Sequence, residues 1–368
     1  MATQISPQQR ALNFGAYTRQ HKQTLGSQTG GAGSHFEFEV PKARLLQTIS
    51  LLVEVDYNLT TKGGGTASIT KTGLMKLYDV LKRVSIDYNN GFSPVVASGK
   101  DIAITNMLRV KSDTILPSCE EDRTMLTVLG SDNHEGHNYI NMIQSEAGKY
   151  YFRLEMPVTL NDRDPAGIVL AQNGQTLINF SVDVESVLKL KDMSNEEANM
   201  DITKVKVTPE IISFSIPQSE HAFPDLSVLK ILDARKEAFN GGGSNLVKMP
   251  TGMIYRKIVL YFEDNEGNPL EVDDITSNIE LIFNTADVPY SVNPRHLRLT
   301  TTSQTGGCLP KGYFAFDFSC QGTNPNYGGS RDYIDAETIT AFELRFTTAK
   351  AGKVTIISEK ISRLKSAQ

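Results

Sequence analysis

The clearest candidate for metal chemistry in this chain is the run His134 to His137, in which two imidazoles lie three positions apart. Two imidazoles at this spacing can converge on one ion, but a zinc site needs three or four protein ligands. No cysteine or histidine cluster lies nearby, and the neighbouring Ser131, Asp132, Asn133 and Asn138 are typical of an exposed loop. We therefore expect a solvated loop rather than a metal site.

Two acidic runs could bind calcium or act as general acids and bases. Asp162 to Pro165 begins like a calcium loop, but it lacks the glycine and the bidentate glutamate at the expected spacing. Glu120 to Asp122 has no flanking pattern that marks a desolvating pocket. The chain also lacks a nucleophile elbow, a phosphate-binding loop and a dinucleotide fingerprint. The sequence therefore predicts a scaffold with no catalytic residues, metal or cofactor.

Composition indicates a folded protein rich in turns. The chain has 368 residues with 28 Gly, 15 Pro and a formal charge of −5, which argues against a chain-wide nucleic-acid surface. No apolar run approaches the roughly 18–20 residues of a membrane-spanning helix, and no signal-peptide core is expected at the N-terminus. Cys308 and Cys320 could pair across a loop, but with three cysteines we favour reduced thiols and a cytoplasmic site of synthesis.

Four short strand-like segments occur twice, in the same order. Each has apolar residues at every second position, which places one strand face in a core. The pairs are Phe36–Val40 with Ile212–Ile216, Val84–Tyr88 with Ile258–Phe262, Phe152–Met156 with Phe314–Phe318, and Ile178–Val182 with Phe342–Phe346. This duplication predicts two tandem β-sandwiches. In the second, we expect Phe314, Phe316 and Phe318 to point inward, with Tyr313 and Asp317 outward.

The first 34 residues differ from the rest in composition, since they contain cations but no acidic residue. Ser6, Pro7 and Gln9 have the form of a helix N-cap with proline at the first helical position. A helix from about Pro7 to Leu25 is one interpretation, and a disordered tail is the other. An arm that becomes ordered only against a partner or an anionic surface would also fit.

One further helix is predicted from Asp225 to Phe239. Asp225 can cap its start, apolar residues lie broadly on one side, and Asn240 with Gly241 can end it. The domain bounds expected from these patterns are an N-terminal arm (1–34), a first sandwich (35–191), a linker (192–201) and a second sandwich with a C-terminal tail (202–368).

Four further motifs carry a resemblance to a known family. They are Ser6–Leu12, Tyr150–Ile178 (YYFRLEMPVTLNDRDPAGIVLAQNGQTLI), Phe223–Leu229 and Leu309–Phe314. In this order, on a duplicated sandwich, they resemble the double jelly-roll major capsid proteins of tectivirus-like bacteriophages, whose shells contain an internal membrane. Short glycine-rich insertions at Gly63–Gly65 and Gly241–Gly243 depart from relatives that carry longer loops.

The resemblance implies an all-β fold of two tandem eight-stranded antiparallel jelly rolls, with a short N-terminal helical arm and one helix in the second jelly roll. It implies a homotrimer of pseudo-hexagonal outline that tiles an icosahedral virion shell. The expected partners are other trimers, the internal membrane and minor capsid or vertex proteins, without direct nucleic-acid contact. The expected membrane or assembly contacts are made by residues of the arm, namely Arg10, Leu12, Phe14, Tyr17, Arg19 and Lys22.

Two other classes of protein remain open. The first is a duplicated-sandwich enzyme. A bicupin needs a His-x-His motif, and none occurs in the chain. A jelly-roll amidase or glycosidase needs facing carboxylates in a cleft and, for glycan substrates, usually a secretion signal. A carbohydrate- or surface-binding module often presents exposed tryptophan, and the chain has no Trp. The mass in solution discriminates these classes, because only the capsid interpretation requires a trimer.

Overall fold

The computed structural model describes residues 6–61, 71–89, 91–109, 139–141, 147–160, 165–170, 177–191, 197–305, 309–319 and 333–363. Within them lie four α-helices and twenty-two strands. The helices are α1 (Pro7–Tyr17), α2 (Leu74–Tyr78), α3 (Gly99–Arg109) and α4 (Pro294–Thr305). The strands are β1 (Gln20–Thr24), β2 (Gln28–Gly30), β3 (His35–Glu39), β4 (Leu45–Thr61), β5 (Lys71–Gly73), β6 (Leu81–Tyr88), β7 (Phe92–Ala97), β8 (Tyr139–Asn141), β9 (Ala147–Pro157), β10 (Val169–Leu170), β11 (Ile178–Val184), β12 (Val187–Lys191), β13 (Glu197–Phe214), β14 (Val228–Phe239), β15 (Ser244–Met249), β16 (Ile254–Asp264), β17 (Ile279–Phe283), β18 (Asp287–Val292), β19 (Tyr313–Asp317), β20 (Ile334–Asp335), β21 (Phe342–Thr347) and β22 (Gly352–Arg363).

Two sandwiches with the same strand order follow one another along the chain. In the first, one sheet runs β1-β13-β4-β9, with β2 also on β13, and the other runs β3-β11-β6-β7. In the second, the sheets run β14-β22-β16-β19 and β15-β21-β17-β18. All of these neighbours are antiparallel. Each sandwich thus has eight strand positions in two four-stranded sheets, which confirms the predicted double jelly roll.

A parallel contact joins the two jelly rolls. Strand β7 pairs with β14, with Val95 opposite Leu232 and Val96 opposite Asp233. This pairing merges one sheet from each jelly roll into a nine-stranded sheet, β19-β16-β22-β14-β7-β6-β11-β3 with β20 beside β16.

The merged sheet borders two cores on its opposite faces. Alternation places Phe314 and Phe316 in the core of the second jelly roll, as the sequence predicts. Tyr313 and Ala315 face the other way and are also buried, in a core that is continuous with that of the first jelly roll. The expectation that Tyr313 and Asp317 point to solvent is therefore wrong, because the first jelly roll covers that face.

The predicted helix from Asp225 to Phe239 is also wrong. Val228–Phe239 is strand β14, which pairs with β22 along its whole length. Asp225 does form a turn, since its Oδ1 accepts from the backbone N of Ser227 at 2.9 Å. The helix of the second jelly roll is α4, at Pro294–Thr305.

The structure supports two of the four repeated segment pairs. Ile178–Val182 and Phe342–Phe346 lie on the equivalent strands β11 and β21. Phe152–Met156 and Phe314–Phe318 lie on or end just beyond the equivalent strands β9 and β19, but two residues out of register, since Met156 is equivalent to Phe316. The other two pairs join strands that are not equivalent, β3 with β13 and β6 with β16. Apolar alternation alone does not distinguish strands of one sheet from strands of the other.

Strand pairing moves the expected domain bounds. Strands β1 and β2 lie within the expected arm but pair with β13 of the first jelly roll. Strand β13 begins at Glu197, inside the expected linker, and pairs with β4 as far as Phe214. We therefore propose a first jelly roll that ends at residue 214, a connection over residues 215–227, and a second jelly roll from residue 228. In the described part of the chain, no helix combines the length and apolar character needed to cross a membrane.

Candidate assembly surfaces

The N-terminal helix begins where the sequence predicts and ends earlier. Ser6 is its N-cap, with the backbone N of Gln9 donating to Ser6 Oγ at 3.2 Å, and Pro7 opens the first turn. The helix stops at Tyr17 rather than near Leu25, because the chain then becomes the edge strand β1.

One face of α1 packs against the protein. Phe14 is buried in a small apolar cluster with Leu45 and Ile168, and its ring meets that of Phe214 edge-on at 4.9 Å between centroids. Asn13 Nδ2 donates to the carbonyl oxygen of His221 at 3.4 Å. Leu45 begins β4 and Phe214 ends β13, so α1 lies at that end of the first jelly roll.

The charge of Arg10 in α1 is felt at the connection between the jelly rolls. Hydrogen bonds from Ser227 lower the pKa of Asp225, and the positive charge of Arg10 lowers it further, although partial burial opposes both effects. Arg10 thus lies close enough to Asp225 for its charge to favour the ionised carboxylate.

The other face of α1 is open. Leu12 is 68% exposed and Tyr17 is 64% exposed, so both side chains face away from the protein. Arg19 is exposed, while its backbone N donates to Ser215 Oγ at 2.9 Å. Lys22 lies in β1, opposite Ile212 of β13. Of the six predicted arm residues, Phe14 is a buried anchor, Leu12 and Tyr17 are exposed, and Lys22 lies in an edge strand. Arg10 is half-buried, and Arg19 is exposed just before that strand.

The junction between the jelly rolls contains buried charges that sequence reasoning did not predict. Lys230 Nζ lies 3.3 Å from Glu359 Oε2, and Arg256 Nη1 lies 3.7 Å from Glu359 Oε1. Lys257 Nζ lies 3.4 Å from Asp317 Oδ2, with both side chains only 2% exposed. These pairs cross between neighbouring strands of the merged sheet.

The pKa values at this junction reflect burial and charge together. Burial opposes ionisation of Glu359, but the charges of Lys230, Lys257 and Arg256 outweigh it and lower the pKa of Glu359 to about 2. Burial lowers the pKa of Lys230 to about 8, although Glu359 acts in the opposite direction. The fold therefore favours the ionised form of Glu359, whereas burial disfavours the charged form of Lys230.

Helix α3 covers part of the same junction. Nine of its eleven residues are buried, among them Ile104. Lys100 Nζ lies 3.5 Å from Asp79 Oδ1 and 5.1 Å from the centre of the Tyr261 ring, which belongs to the second jelly roll. Because a cation over an aromatic face is attracted by the ring quadrupole, this contact ties the two jelly rolls together.

The described residues contain no group of three or more histidine, cysteine, aspartate or glutamate side chains placed to hold a metal. The runs 120–122, 134–137 and 162–164 and the cysteines at 308 and 320 lie outside the described residues. No catalytic arrangement emerges from the part of the chain that the structure describes.

Comparison with known proteins identifies the fold through structure alone. No protein-family model matches the chain, and no curated protein sequence matches it. The major capsid protein of STIV, the Sulfolobus Turreted Icosahedral Virus, superposes with a TM-score of 0.65 at 12% identity, covering 94% of this chain and 97% of that one. The major capsid protein P2 from bacteriophage PM2 gives 0.55 at 10% identity, with 94% and 98% covered. The PBCV-1 virus capsid gives 0.59 at 9% identity, with 96% and 98% covered. The chain therefore has, from one jelly roll to the other, the double jelly-roll fold of these viral capsid proteins.

Proposed function

We propose that this chain is the major capsid protein of an icosahedral virus. The observation that carries the proposal is the superposition of 94% of the chain, both jelly rolls included, on the STIV major capsid protein. A single sandwich occurs in many classes of protein, but two tandem jelly rolls matched over the full length of capsid proteins are a narrower likeness. The proposed place of the protein is the virion shell, after synthesis in the host cytoplasm.

The proposed building block is a homotrimer. Two jelly rolls in each of three subunits would give a capsomer of pseudo-hexagonal outline, suited to tile a flat facet. Sheet edges, sheet faces and loops would hold it together, since the sequence has no heptad run for a coiled coil. An obligate interface of this kind buries on the order of 2,000–5,000 Å².

We further propose that the shell surrounds an internal membrane, as in tectivirus-like bacteriophages. The proposed contact is α1, whose exposed Leu12 and Tyr17 and the nearby Arg19 form a small amphipathic surface. Minor capsid or vertex proteins would be further partners, and nucleic acid would have no direct contact with the shell.

The experiment is to measure the mass of the purified protein by light scattering and to image it by negative-stain electron microscopy. The proposal predicts three chains per particle and a hexagonal outline formed by their six jelly rolls. A monomer across micromolar concentrations would contradict it and would favour the alternative, a carbohydrate- or surface-binding protein built on a duplicated sandwich. Glycan-array binding by that monomer would then establish the alternative.

A further inference from the structure

The two jelly rolls share irregularities as well as strand order. The pairing of β4 with β13 skips Gln47, and the pairing of β16 with β22 skips Arg256. The backbone N of Val158 donates to Gln47 O, and that of Phe318 donates to Arg256 O, both at 2.9 Å. These matching bulges make Gln47 equivalent to Arg256 and place the two jelly rolls in residue-by-residue correspondence.

The helices α3 and α4 are equivalent in the same sense. Each follows the last strand of its β3-β11-β6-β7 or β15-β21-β17-β18 sheet. In α3, Asn106 Nδ2 donates to the carbonyl oxygen of Glu155 in β9 at 2.9 Å. In α4, Thr301 Oγ1 donates to the carbonyl oxygen of Ala315 in β19 at 3.2 Å. These matching contacts make Asn106 of α3 equivalent to Thr301 of α4, and the other residues of the two helices follow in the same register.

Within the chain, the jelly rolls meet through two different surfaces. The first jelly roll contributes the edge of β7 and the face of α3 that carries Lys100, with the buried Ile104 one turn further along the helix. The second contributes the edge of β14 and the face of its β14-β22-β16-β19 sheet that carries Tyr261. Because the two surfaces differ, the contact is heterologous and leaves one unused copy of each surface on the chain.

The first unused surface lies on the second jelly roll. The alignment of the helices places Leu299 at the position of Ile104 and Arg295 at the position of Lys100. Ile104 is fully buried, whereas Leu299 is 62% exposed. Strand β18, equivalent to β7, pairs with β17 alone among the described strands.

The second unused surface lies on the first jelly roll. The bulge alignment places Leu52 of β4 at the position of Tyr261, and Leu52 is 37% exposed in the middle of a polar sheet face. It places Glu54 at the position of Glu263, which contributes to the charge around Lys100. Strand β1, equivalent to β14, pairs with β13 alone among the described strands.

We propose that these two surfaces bind each other between two copies of this chain. The α4 face and the β18 edge of one copy, which we call the donor surface, would dock on the β1 edge and the Leu52 face of the next, the acceptor surface. The inference rests on the proposed function, since it assigns the contacts of the proposed trimer. The acceptor copy is a second molecule of the same protein, because the chain already makes this contact once with itself.

The chemistry of the two surfaces is complementary. Leu299 would be buried against the acceptor sheet near Leu52, since Ile104, at the equivalent position of α3, is fully buried in the core that also contains Tyr261. Arg295 would lie near Glu54, since Glu263 contributes to the charge around Lys100. Each would share this contact with its present partner, which is Asp273 for Arg295 and Lys206 for Glu54. Ser291 of β18 pairs in parallel with Gln23 of β1, in the register that Val96 and Asp233 already use. One donor and one acceptor surface on each chain allow a closed ring, and three chains place every jelly roll between two contacts of the same kind.

The first test changes the two leucines separately. Leu52→Glu and Leu299→Glu each bury a carboxylate against an apolar partner, so each should raise the concentration for half-trimerisation at least tenfold in light scattering. Leu246→Glu is the matched control, since Leu246 is 53% exposed on β15, outside both surfaces. Circular dichroism and the melting temperature of each variant show that the chain still folds.

The second test restores the contact. Leu52→Glu combined with Leu299→Lys in one chain places opposite charges together at every interface, and should recover the trimer that either change weakens. Independently, Gln23→Cys with Ser291→Cys should give a covalent product of three chains under oxidising conditions. Each single-cysteine variant is the control for the three natural cysteines.

The outcomes separate this inference from the proposed function. If the wild-type protein is a monomer, the proposed function fails and the inference fails with it. If the wild-type protein is a trimer that both glutamate variants leave intact, and no three-chain product forms, the donor and acceptor surfaces are wrong while the capsomer stands. Loss of the trimer in the single variants and its return in the double variant would establish the surfaces.

Discussion

Lys230 and Glu359 form an ion pair inside the protein, with 3.3 Å between Lys230 Nζ and Glu359 Oε2. Lys230 lies on β14, the strand that pairs with β7 across the junction, and Glu359 lies on the neighbouring strand β22. A buried ion pair adds little stability over an apolar pair of the same shape, but removal of one partner is costly. The junction should therefore be sensitive to single substitutions.

Glu359→Gln should destabilise the protein by about 3–5 kcal/mol, because it leaves the buried Lys230 and Arg256 without their carboxylate. The measurement is the free energy of unfolding from a denaturant titration. Glu237→Gln is the control, since Glu237 lies on β14 at 3.7 Å from Arg235, and both side chains are about a third or more exposed. The control should change stability by less than about 1 kcal/mol. A similar loss in both variants would contradict a special role of the junction.

The same pair predicts how stability depends on pH. The pKa of Glu359 is about 2 in the folded protein against an ordinary 4.5, so its ionised form stabilises the fold above pH 4.5. That stabilisation, about 3 kcal/mol at most, should be lost as the pH falls from 4.5 to 2. The difference in unfolding free energy between wild type and Glu359→Gln should shrink in this window, and a constant difference would show the pKa to be ordinary.

Lys230 predicts the opposite trend in alkali. Its pKa is about 8 in the folded protein against an ordinary 10.5, so its charged form is unfavourable in the fold. Stability should rise between pH 8 and 10.5, as the folded protein releases this proton before the unfolded chain does. Lys230→Met lacks the group, so its stability relative to wild type should decline across the same range. A parallel pH dependence of the two proteins would exclude the effect.

Substitutions on the two faces of β19 should change the stability of the protein differently. Phe316→Ala removes a ring from the core of the second jelly roll and should cost about 3–5 kcal/mol in a denaturant titration. Tyr313 lies on the other face, and its hydroxyl is buried with no hydrogen-bond partner among the described residues. Tyr313→Phe should therefore be neutral or stabilising by up to about 1 kcal/mol. A loss below 1 kcal/mol for Phe316→Ala would contradict its place in the core.

Local alternation predicted the strands that have one buried and one open face. Ile178, Phe180 and Val182 are buried in β11 while the residues between them are half-buried, which is the pattern that the sequence presents. The start of α1 at Ser6 was predicted because a helix cap depends on neighbouring residues alone. The tandem sandwiches were predicted from the repeated segments, and the double jelly roll from the family resemblance.

Strands buried on both faces were harder to predict. Ile231 and Leu232 are adjacent and both buried in β14, so the apolar residues no longer alternate and imitate a helical period. Pairing with β22 then overrides the local preference.

The charged junction was missed because Lys230, Arg256 and Glu359 meet only after the jelly rolls have folded. The repeated proline in β7 and β18, Pro94 and Pro289, was a signal of their equivalence.

The last prediction concerns α1 and the proposed membrane. Removal of residues 1–18 deletes the helix but keeps β1, which belongs to the first jelly roll and to the proposed acceptor surface. The truncated protein should still form the trimer, whereas assembly around a membrane should fail. A single exposed cation near an anionic surface contributes only about 1 kcal/mol, so one helix binds weakly. Many helices arrayed on one shell bind strongly through effective concentration.

Leu12→Ser with Tyr17→Ser is the finer variant, because it keeps the Phe14 anchor and removes the exposed apolar side chains. The measurement is co-flotation of trimers with vesicles that contain anionic lipid, together with electron microscopy of assembled particles. Normal membrane-filled particles from the truncated protein would show that α1 serves contacts between protein subunits instead.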